Sequence, residues 1–99
     1  MITRIVKLTF VKGREQEFLD IYRASEERIR NFEGCSHLEL LRDVHDASVF
    51  FTYSHWESEQ HLMEYRNSEL FRSVWSRVTP LFAAEPQAWS ARTADIRQS

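Results

Sequence analysis

Two histidines, a glutamate and a tyrosine are the side chains of this sequence best suited to proton chemistry. They lie on two segments of alternating hydrophobicity, which predict adjacent strands joined by a short polar link. If the hairpin pairs symmetrically about that link, His37 lies opposite His55 and Glu39 lies opposite Tyr53. Because side chains alternate along a strand, all four then share one face of the sheet.

Three roles are open to this group of four residues, called the His–Glu cluster below. Imidazoles and carboxylates can act as general acids and bases at neutral pH. Two histidines and one carboxylate are also a ligand set for a divalent transition metal. At a subunit interface the same side chains would form hydrogen bonds and take no part in catalysis.

Seven secondary-structure elements must position these residues. Hydrophobic periodicity predicts them in the order β-α-β-β-α-α-β. Ser58 and Ser68 each precede an apolar helical pattern and are predicted N-caps. Gly34 should cap the first helix, and Pro80 should bend or end the last one. The predicted elements are a strand at Ile2–Val11, a helix from Arg14 to about Glu33, a strand at Ser36–Asp43, a strand at Val49–Trp56, a short helix after Ser58, a helix after Ser68 with an apolar stripe to Phe82, and a strand at Pro86–Ala94.

Four strands with right-handed crossovers favour an α+β, ferredoxin-like βαββααβ fold: a four-stranded antiparallel sheet with every helix on one face. The other face should be polar if it met water. Instead both sides of the third strand carry apolar or aromatic residues, Phe50 and Trp56 on one side and Val49, Phe51 and Tyr53 on the other. The first strand likewise places Ile5 and Val11 opposite Val6, Leu8 and Phe10, so both faces must be at least partly covered. No further element remains to cover them, so the sequence predicts a homodimer that packs sheet against sheet.

Length and composition limit the other possibilities. The 99 residues are 42% hydrophobic and 28% charged, which is typical of one globular domain; we expect it to span residues 1–94, with a flexible tail at 95–99. A net charge of −2 gives no reason to expect nucleic acid as a partner. No apolar run approaches the roughly 20 residues that span a bilayer, so no membrane partner is expected.

Cysteine and glycine usage adds two further expectations. The single cysteine, Cys35, cannot form an intramolecular disulfide, and the first residues lack the apolar core of a signal peptide. A cytoplasmic location and a packed, unreactive thiol are therefore expected. With two glycines in total, the sequence has no loop that would cradle a nucleotide, and no cofactor is predicted.

A set of residues in a fixed order resembles the antibiotic biosynthesis monooxygenase family. The resemblance runs from the first strand to about Trp89, and its most specific part is a strand-ending Trp-Glu-Ser followed by Tyr-x-x-Ser-x-x-Phe. The residues that carry it are Phe32-Glu33-Gly34-Cys35, Leu40-Leu41-Arg42-Asp43, Phe51, Trp56-Glu57-Ser58, Leu62, Tyr65, Ser68 and Phe71. The resemblance implies a dimeric α+β barrel with a pocket between sheet and helices in each subunit. It also implies one of several activities: cofactor-independent oxygenation of polycyclic phenols, quinol oxygenation, haem degradation or isomerisation of small signalling molecules.

The same resemblance marks departures from the better understood members. Haem-degrading members carry an iron-ligating histidine on the long helix and an asparagine on the first strand, where this chain has Trp75 and Val6. Tyr65 replaces a tryptophan of that subgroup. Quinol-oxygenase-like members have His-x-x-Thr/Ser-x-His, where this chain has Tyr65, Ser68 and Leu70. Haem handling is therefore disfavoured, and both histidines of the quinol pattern are missing.

The expected function is a cofactor-independent monooxygenase, in which a small aromatic or quinone-like compound reacts directly with oxygen in an apolar pocket. The alternatives are a non-catalytic small-molecule-binding or stress-response dimer and an isomerase on the same fold. Helical spacing alone assigns Tyr65, Phe71 and Trp75 to core packing, whereas the alignment to relatives places Tyr65 and Trp75 at pocket positions. The catalytic candidates are His37, Glu39, His55 and Tyr65, and the predicted substrate-binding residues are Val6, Tyr53, Tyr65, Phe71 and Trp75.

Overall fold

The computed structural model describes residues 1–94, so the tail predicted at residues 95–99 lies outside the described residues. Four strands and three α-helices follow one another in the predicted order. The strands are β1 (Ile2–Thr9), β2 (Cys35–Arg42), β3 (Val49–Trp56) and β4 (Gln87–Ala91). The helices are α1 (Glu15–Arg30), α2 (Glu59–Arg66) and α3 (Glu69–Val78), followed by a 3₁₀ turn at Thr79–Leu81.

The four strands form one antiparallel sheet in the order β2-β3-β1-β4, so the predicted α+β, ferredoxin-like fold is confirmed. Leu8 of β1 and Phe50 of β3 are buried together with Phe18 of α1 and Val78 of α3. A second, smaller cluster joins Leu62 of α2 to the same face of the sheet. All three helices therefore cover one face of the sheet, as predicted.

The ends of several elements differ from the predicted ones. β1 stops at Thr9, because Phe10 forms an isolated bridge with Phe82 instead of continuing the ladder. β4 is shorter than predicted, since its pairing with β1 ends at Ala91. α3 ends at Val78, and Pro80 lies in the 3₁₀ turn that follows it, as expected for a residue that lacks a backbone donor.

The end of α1 is the clearest correction to the predicted elements. The helix stops at Arg30 and is capped by Asn31, so Gly34 is not its cap. The chain leaves the helix here because Phe32 turns to pack edge-on against Trp56 and Tyr65. Gly34, with φ of 91°, instead forms the turn into β2.

Serine side chains start the two shorter helices as predicted. The Ser58 hydroxyl accepts a hydrogen bond from the backbone N–H of His61, and the Ser68 hydroxyl accepts one from that of Phe71. These caps satisfy backbone donors that have no partner within the helix. Within residues 1–94, no helix has the length and apolar character needed to cross a membrane.

The face of the sheet that the helices leave uncovered, called the open face below, carries large apolar side chains. Strand pairing aligns one row of four residues across it: Glu39, Tyr53, Ile5 and Trp89. Trp89 is 48% exposed, and Leu41 in the neighbouring row is 41% exposed. An apolar face of this kind commonly marks an interface.

The two glycines allow a matched test of the turn before β2. Both have positive φ, 96° at Gly13 and 91° at Gly34, so alanine is strained at either position. A Cβ atom at Gly13 would meet nothing, whereas one at Gly34 would overlap the side chain of His61. We expect Gly13→Ala to lower the free energy of unfolding by about 1 kcal/mol, and Gly34→Ala to lower it by at least about 1 kcal/mol more. Urea denaturation followed by circular dichroism measures both; equal losses would mean that His61 moves aside at no cost.

Candidate functional site

A cavity of about 330 Å³ lies between the helices and the face of the sheet that they cover. Its volume is at the lower end of the range for small-molecule sites, about 300–1,000 Å³. Val6 of β1 and Thr52 of β3 belong to its sheet wall, and Tyr22 of α1 and Val74 of α3 belong to its helical wall. Most of the lining is apolar, with a few polar groups set into it.

Aromatic rings form one continuous part of the wall. Tyr65 stacks on Trp56 with ring centroids 4.9 Å apart and 24° between the planes. Phe71 meets Tyr65 edge-on at 5.3 Å and stacks on Trp75 at 5.5 Å. Four of the five predicted substrate-binding residues, Val6, Tyr65, Phe71 and Trp75, thus line the cavity. Their contact with a substrate stays a prediction.

Two tyrosines, Tyr22 and Tyr65, line this cavity, and both stay protonated at neutral pH. Burial raises the pKa of Tyr65, and the neighbouring Cys35 and Tyr22 raise it further. Burial also raises the pKa of Tyr22 to about 12, and the carboxylate of Glu26 adds to the increase. Both phenols can therefore donate hydrogen bonds, and neither can act as a base. Within residues 1–94, the buried Tyr22 hydroxyl has no hydrogen-bond partner.

Two arginines, Arg4 and Arg66, also line the cavity. Arg4 lies on β1 between Ser54 of β3 and Ser90 of β4, and its Nη1 donates a hydrogen bond to the Ser90 hydroxyl at 2.8 Å. Burial lowers the pKa of Arg4, and the positive charge of Arg66 lowers it further. In the part of the chain that the structure describes, neither arginine forms an ion pair.

The His–Glu cluster has the predicted register. His37 pairs with His55, and Glu39 pairs with Tyr53. His37 Nε2 lies 3.1 Å from Glu39 Oε1, His55 Nε2 lies 3.2 Å from the Tyr53 hydroxyl, and the two imidazole rings are 5.2 Å apart. The predicted pairing of these four residues, and their position on one shared face, are therefore confirmed.

The His–Glu cluster nevertheless lies on the open face, on the other side of the sheet from the cavity. The odd-numbered residues of β3 point away from the helices, whereas Thr52, Ser54 and Trp56 line the cavity. Within one chain the sheet thus separates Tyr65 from His37, and Tyr53 does not line the cavity. Catalytic roles for His37, Glu39 and His55, and a substrate contact for Tyr53, stay predictions.

Within the described part of the chain, neither the cavity nor the His–Glu cluster gathers a set of metal or haem ligands. Among residues 1–94, no three histidine, cysteine, aspartate or glutamate side chains are arranged to hold a metal ion. Val6 and Trp75, which align with the asparagine and iron-ligating histidine of haem-degrading members, both line the cavity. An isopropyl group and an indole supply neither the amide nor the iron-ligating imidazole that those members have at these positions. Burial raises the pKa of Cys35, so its thiol stays protonated and weakly nucleophilic.

Sequence reasoning missed Arg4, Arg66 and the unpartnered hydroxyl of Tyr22. Position 4 alternates with Ile2 and Val6, so the pattern that assigned β1 also places a charge on its inward face. A charged residue facing the core is rare unless it is paired, so the alternation of β1 could have identified Arg4 as a candidate site residue. Arg66 gave no such signal, because a basic residue in the last turn of a helix is ordinarily solvated.

Comparisons with known proteins agree with this fold. The family model described as antibiotic biosynthesis monooxygenase matches residues 1–75. A conserved protein from Methanosarcina mazei has a TM-score of 0.88 at 18% identity, covering 95% of this chain and 94% of that one. A structure described as an antibiotic biosynthesis monooxygenase gives 0.90 at 17% identity, covering 96% of this chain and 100% of that one. A protein from Pseudomonas aeruginosa gives 0.81 at 24% identity, covering 94% of each chain.

At these identities the solved structures establish the fold alone. Among curated proteins, no sequence matches this one. The family model, in contrast, spans β1, α1, β2, β3, α2 and most of α3, and includes Val6, Tyr65, Phe71 and Trp75 of the cavity wall. The resemblance drawn from the ordered residues is thereby confirmed, and the chain belongs to the antibiotic biosynthesis monooxygenase family.

Proposed function

We propose that this protein is a cofactor-independent monooxygenase that oxidises a small aromatic or quinone-like compound in the cavity. The observation that carries the proposal is an apolar cavity walled by Trp56, Tyr65, Phe71 and Trp75. Flat aromatic walls complement a flat aromatic substrate, and a few polar groups in such a wall fix its orientation. Family membership supports the reaction class.

The proposed reaction draws all of its electrons from the substrate. A phenol loses its proton to solvent, and the electron-rich ring then reacts with O₂. One oxygen atom becomes a ring carbonyl, and the other leaves as water with the two hydrogens that the substrate gives up. Phenol and O₂ thus yield quinone and water, with the substrate supplying four electrons. The protein contributes orientation and a dry site.

Tyr65 is the cavity residue best placed to assist this reaction. Its phenol is protonated at neutral pH, so it can donate a hydrogen bond to the oxygen on which negative charge develops. The stack on Trp56 and the edge contact with Phe71 hold the ring in one orientation. A donor fixed in advance stabilises charge without reorganising during the reaction.

A second candidate function is non-catalytic binding of a small aromatic molecule. Among the described residues that line the cavity of one chain, there is no histidine, aspartate or glutamate to serve as a general base. This favours a binding protein over an isomerase, because isomerisation requires a base to move a proton within the substrate. An oxygenase whose substrate ionises readily does not need that base.

The proposed assembly is a homodimer formed by the open faces of two copies. Tyr53 and Ile5 form the middle of this face, and the neighbouring Trp89 and Leu41 remain substantially exposed in one chain. Two-fold pairing of the same surface is the commonest way in which a soluble protein covers such a patch. The His–Glu cluster would then lie at the interface.

Oxygen consumption tests the proposed activity and its location. We expect metal-stripped protein to consume oxygen with members of a panel of phenols and hydroquinones, in the presence of chelator. Tyr65→Phe should lower kcat on the order of a hundredfold, because it removes a donor to developing charge. An oxygen electrode measures the rate.

The Tyr53→Phe variant makes the same chemical change on the open face. Loss in Tyr65→Phe with activity kept in Tyr53→Phe places the reaction in the cavity. The reverse pattern would place it at the His–Glu cluster. No protein-dependent uptake across the panel would refute the oxygenase and favour the binding protein.

A charge on the open face tests the homodimer. We expect Phe51→Glu to raise the dimer dissociation constant at least about a hundredfold, because a charged carboxylate would have to be desolvated at the interface and the cross-strand Lys7 would offset only part of that cost. Met63→Glu makes a comparable change at a residue of α2 that is 57% exposed, and should leave the dimer intact. Light scattering after size-exclusion chromatography gives the molecular mass of the wild-type protein and of each variant. A wild-type monomer, or equal behaviour of the two variants, would contradict the sheet-to-sheet dimer.

A further inference from the structure

We infer that Arg4 and Arg66 form an anion subsite in the cavity, so that the compound it binds is an aromatic anion whose negative oxygen belongs to a carboxylate or to an ionised phenol. The inference that this ligand is aromatic rests on the proposed function, whereas the inference that it is negatively charged rests on the two arginines. Both of them line a cavity whose wall is otherwise mostly apolar.

The position of Arg4 is the first support. It belongs to β1, one of the two inner strands of the sheet, where its inward neighbour Ile2 is buried and Val6 is half-buried. Arg4 itself is half-buried, and partial burial of a charge has a desolvation cost that an ionic partner would offset. The hydrogen bond that Nη1 donates to the Ser90 hydroxyl is to a neutral acceptor, and within residues 1–94 Arg4 has no carboxylate partner.

The mutual repulsion of the two arginines is the second support. Both line the same cavity, Arg4 half-buried and Arg66 exposed, and the positive charge of Arg66 lowers the pKa of Arg4. Within the described residues neither has a carboxylate partner. A negative oxygen between them would remove the repulsion and accept hydrogen bonds from planar guanidinium groups, which match carboxylate geometry.

Two matched ligands test the charge of the bound molecule. Naphthalene carboxylate and naphthalene carboxamide, with the same ring position substituted, are nearly equal in size and differ in charge. Trp56 and Trp75 line the cavity, so quenching of tryptophan fluorescence reports binding, and calorimetry confirms the affinities. We expect the carboxylate to bind at least tenfold more tightly than the carboxamide. Arg4→Gln and Arg66→Gln should each lower carboxylate affinity about tenfold to a hundredfold and leave carboxamide affinity unchanged.

Naphthol tests the second source of the negative oxygen. Its absorbance changes when its hydroxyl ionises, so a pH titration gives the pKa of the bound molecule. In the wild-type protein this pKa should lie below that of free naphthol, and either arginine variant should return it toward the free value. A response to the carboxylate alone identifies a carboxylate ligand, and a response to naphthol alone identifies an ionised phenol.

Arg23→Gln is the matched control. Arg23 is exposed on α1 and does not line the cavity, so its loss changes the net charge of the protein but not the subsite. Equal loss of carboxylate affinity in all three variants would reduce the effect to general electrostatics and overturn the anion subsite. An equal loss of affinity for both ligands, or no loss of carboxylate affinity in either arginine variant, would overturn it as well. Because these are binding measurements, failure of the oxygen-uptake test leaves their outcome unaffected.

Discussion

The register of β1 against β3 and β4 is the constraint on which the rest of the structure depends. It pairs Ile5 with Tyr53 on one side and with Trp89 on the other, so it assigns each side chain of the three strands to a face. A slip by one residue would exchange the two faces completely. Arg4 would then meet solvent and Ile5 would enter the cavity. The cavity, the open face and the separation between them all follow from this single alignment.

The helix-covered face combines tight packing with an unfilled space. Phe10 stacks on Phe18 at 4.3 Å and contacts Phe50 at 5.8 Å, so one part of the core is filled by its own aromatic rings. The cavity lies where the wall is instead built from Tyr65, Trp75 and the two arginines. Charged groups beside an apolar wall depart from ordinary core packing, and sites that depart from it are commonly functional ones.

The two faces of the sheet carry different chemistry. Two protonated tyrosines and two arginines line the cavity, which therefore offers a ligand positive charge but no base among the described residues. The imidazoles of His37 and His55 belong to the open face, where they contact Glu39 and Tyr53. In the proposed dimer these groups serve the interface, and in the proposed reaction positive charge instead of a protein base would assist ionisation of the substrate.

The sequence by itself determined the elements, the fold and the pairing of β2 with β3, because hydrophobic period and a short polar link are local signals. It placed His37 opposite His55 correctly, and it identified Ser58 and Ser68 as helix caps from their neighbours alone. The tertiary structure decided which face meets the helices and therefore which polar residues share a cavity. Arg4 and Arg66 are 62 positions apart by their numbers, and a pattern within one segment carries no information about a residue of another. Only the packing of α2 against the sheet brings the two charges to one site.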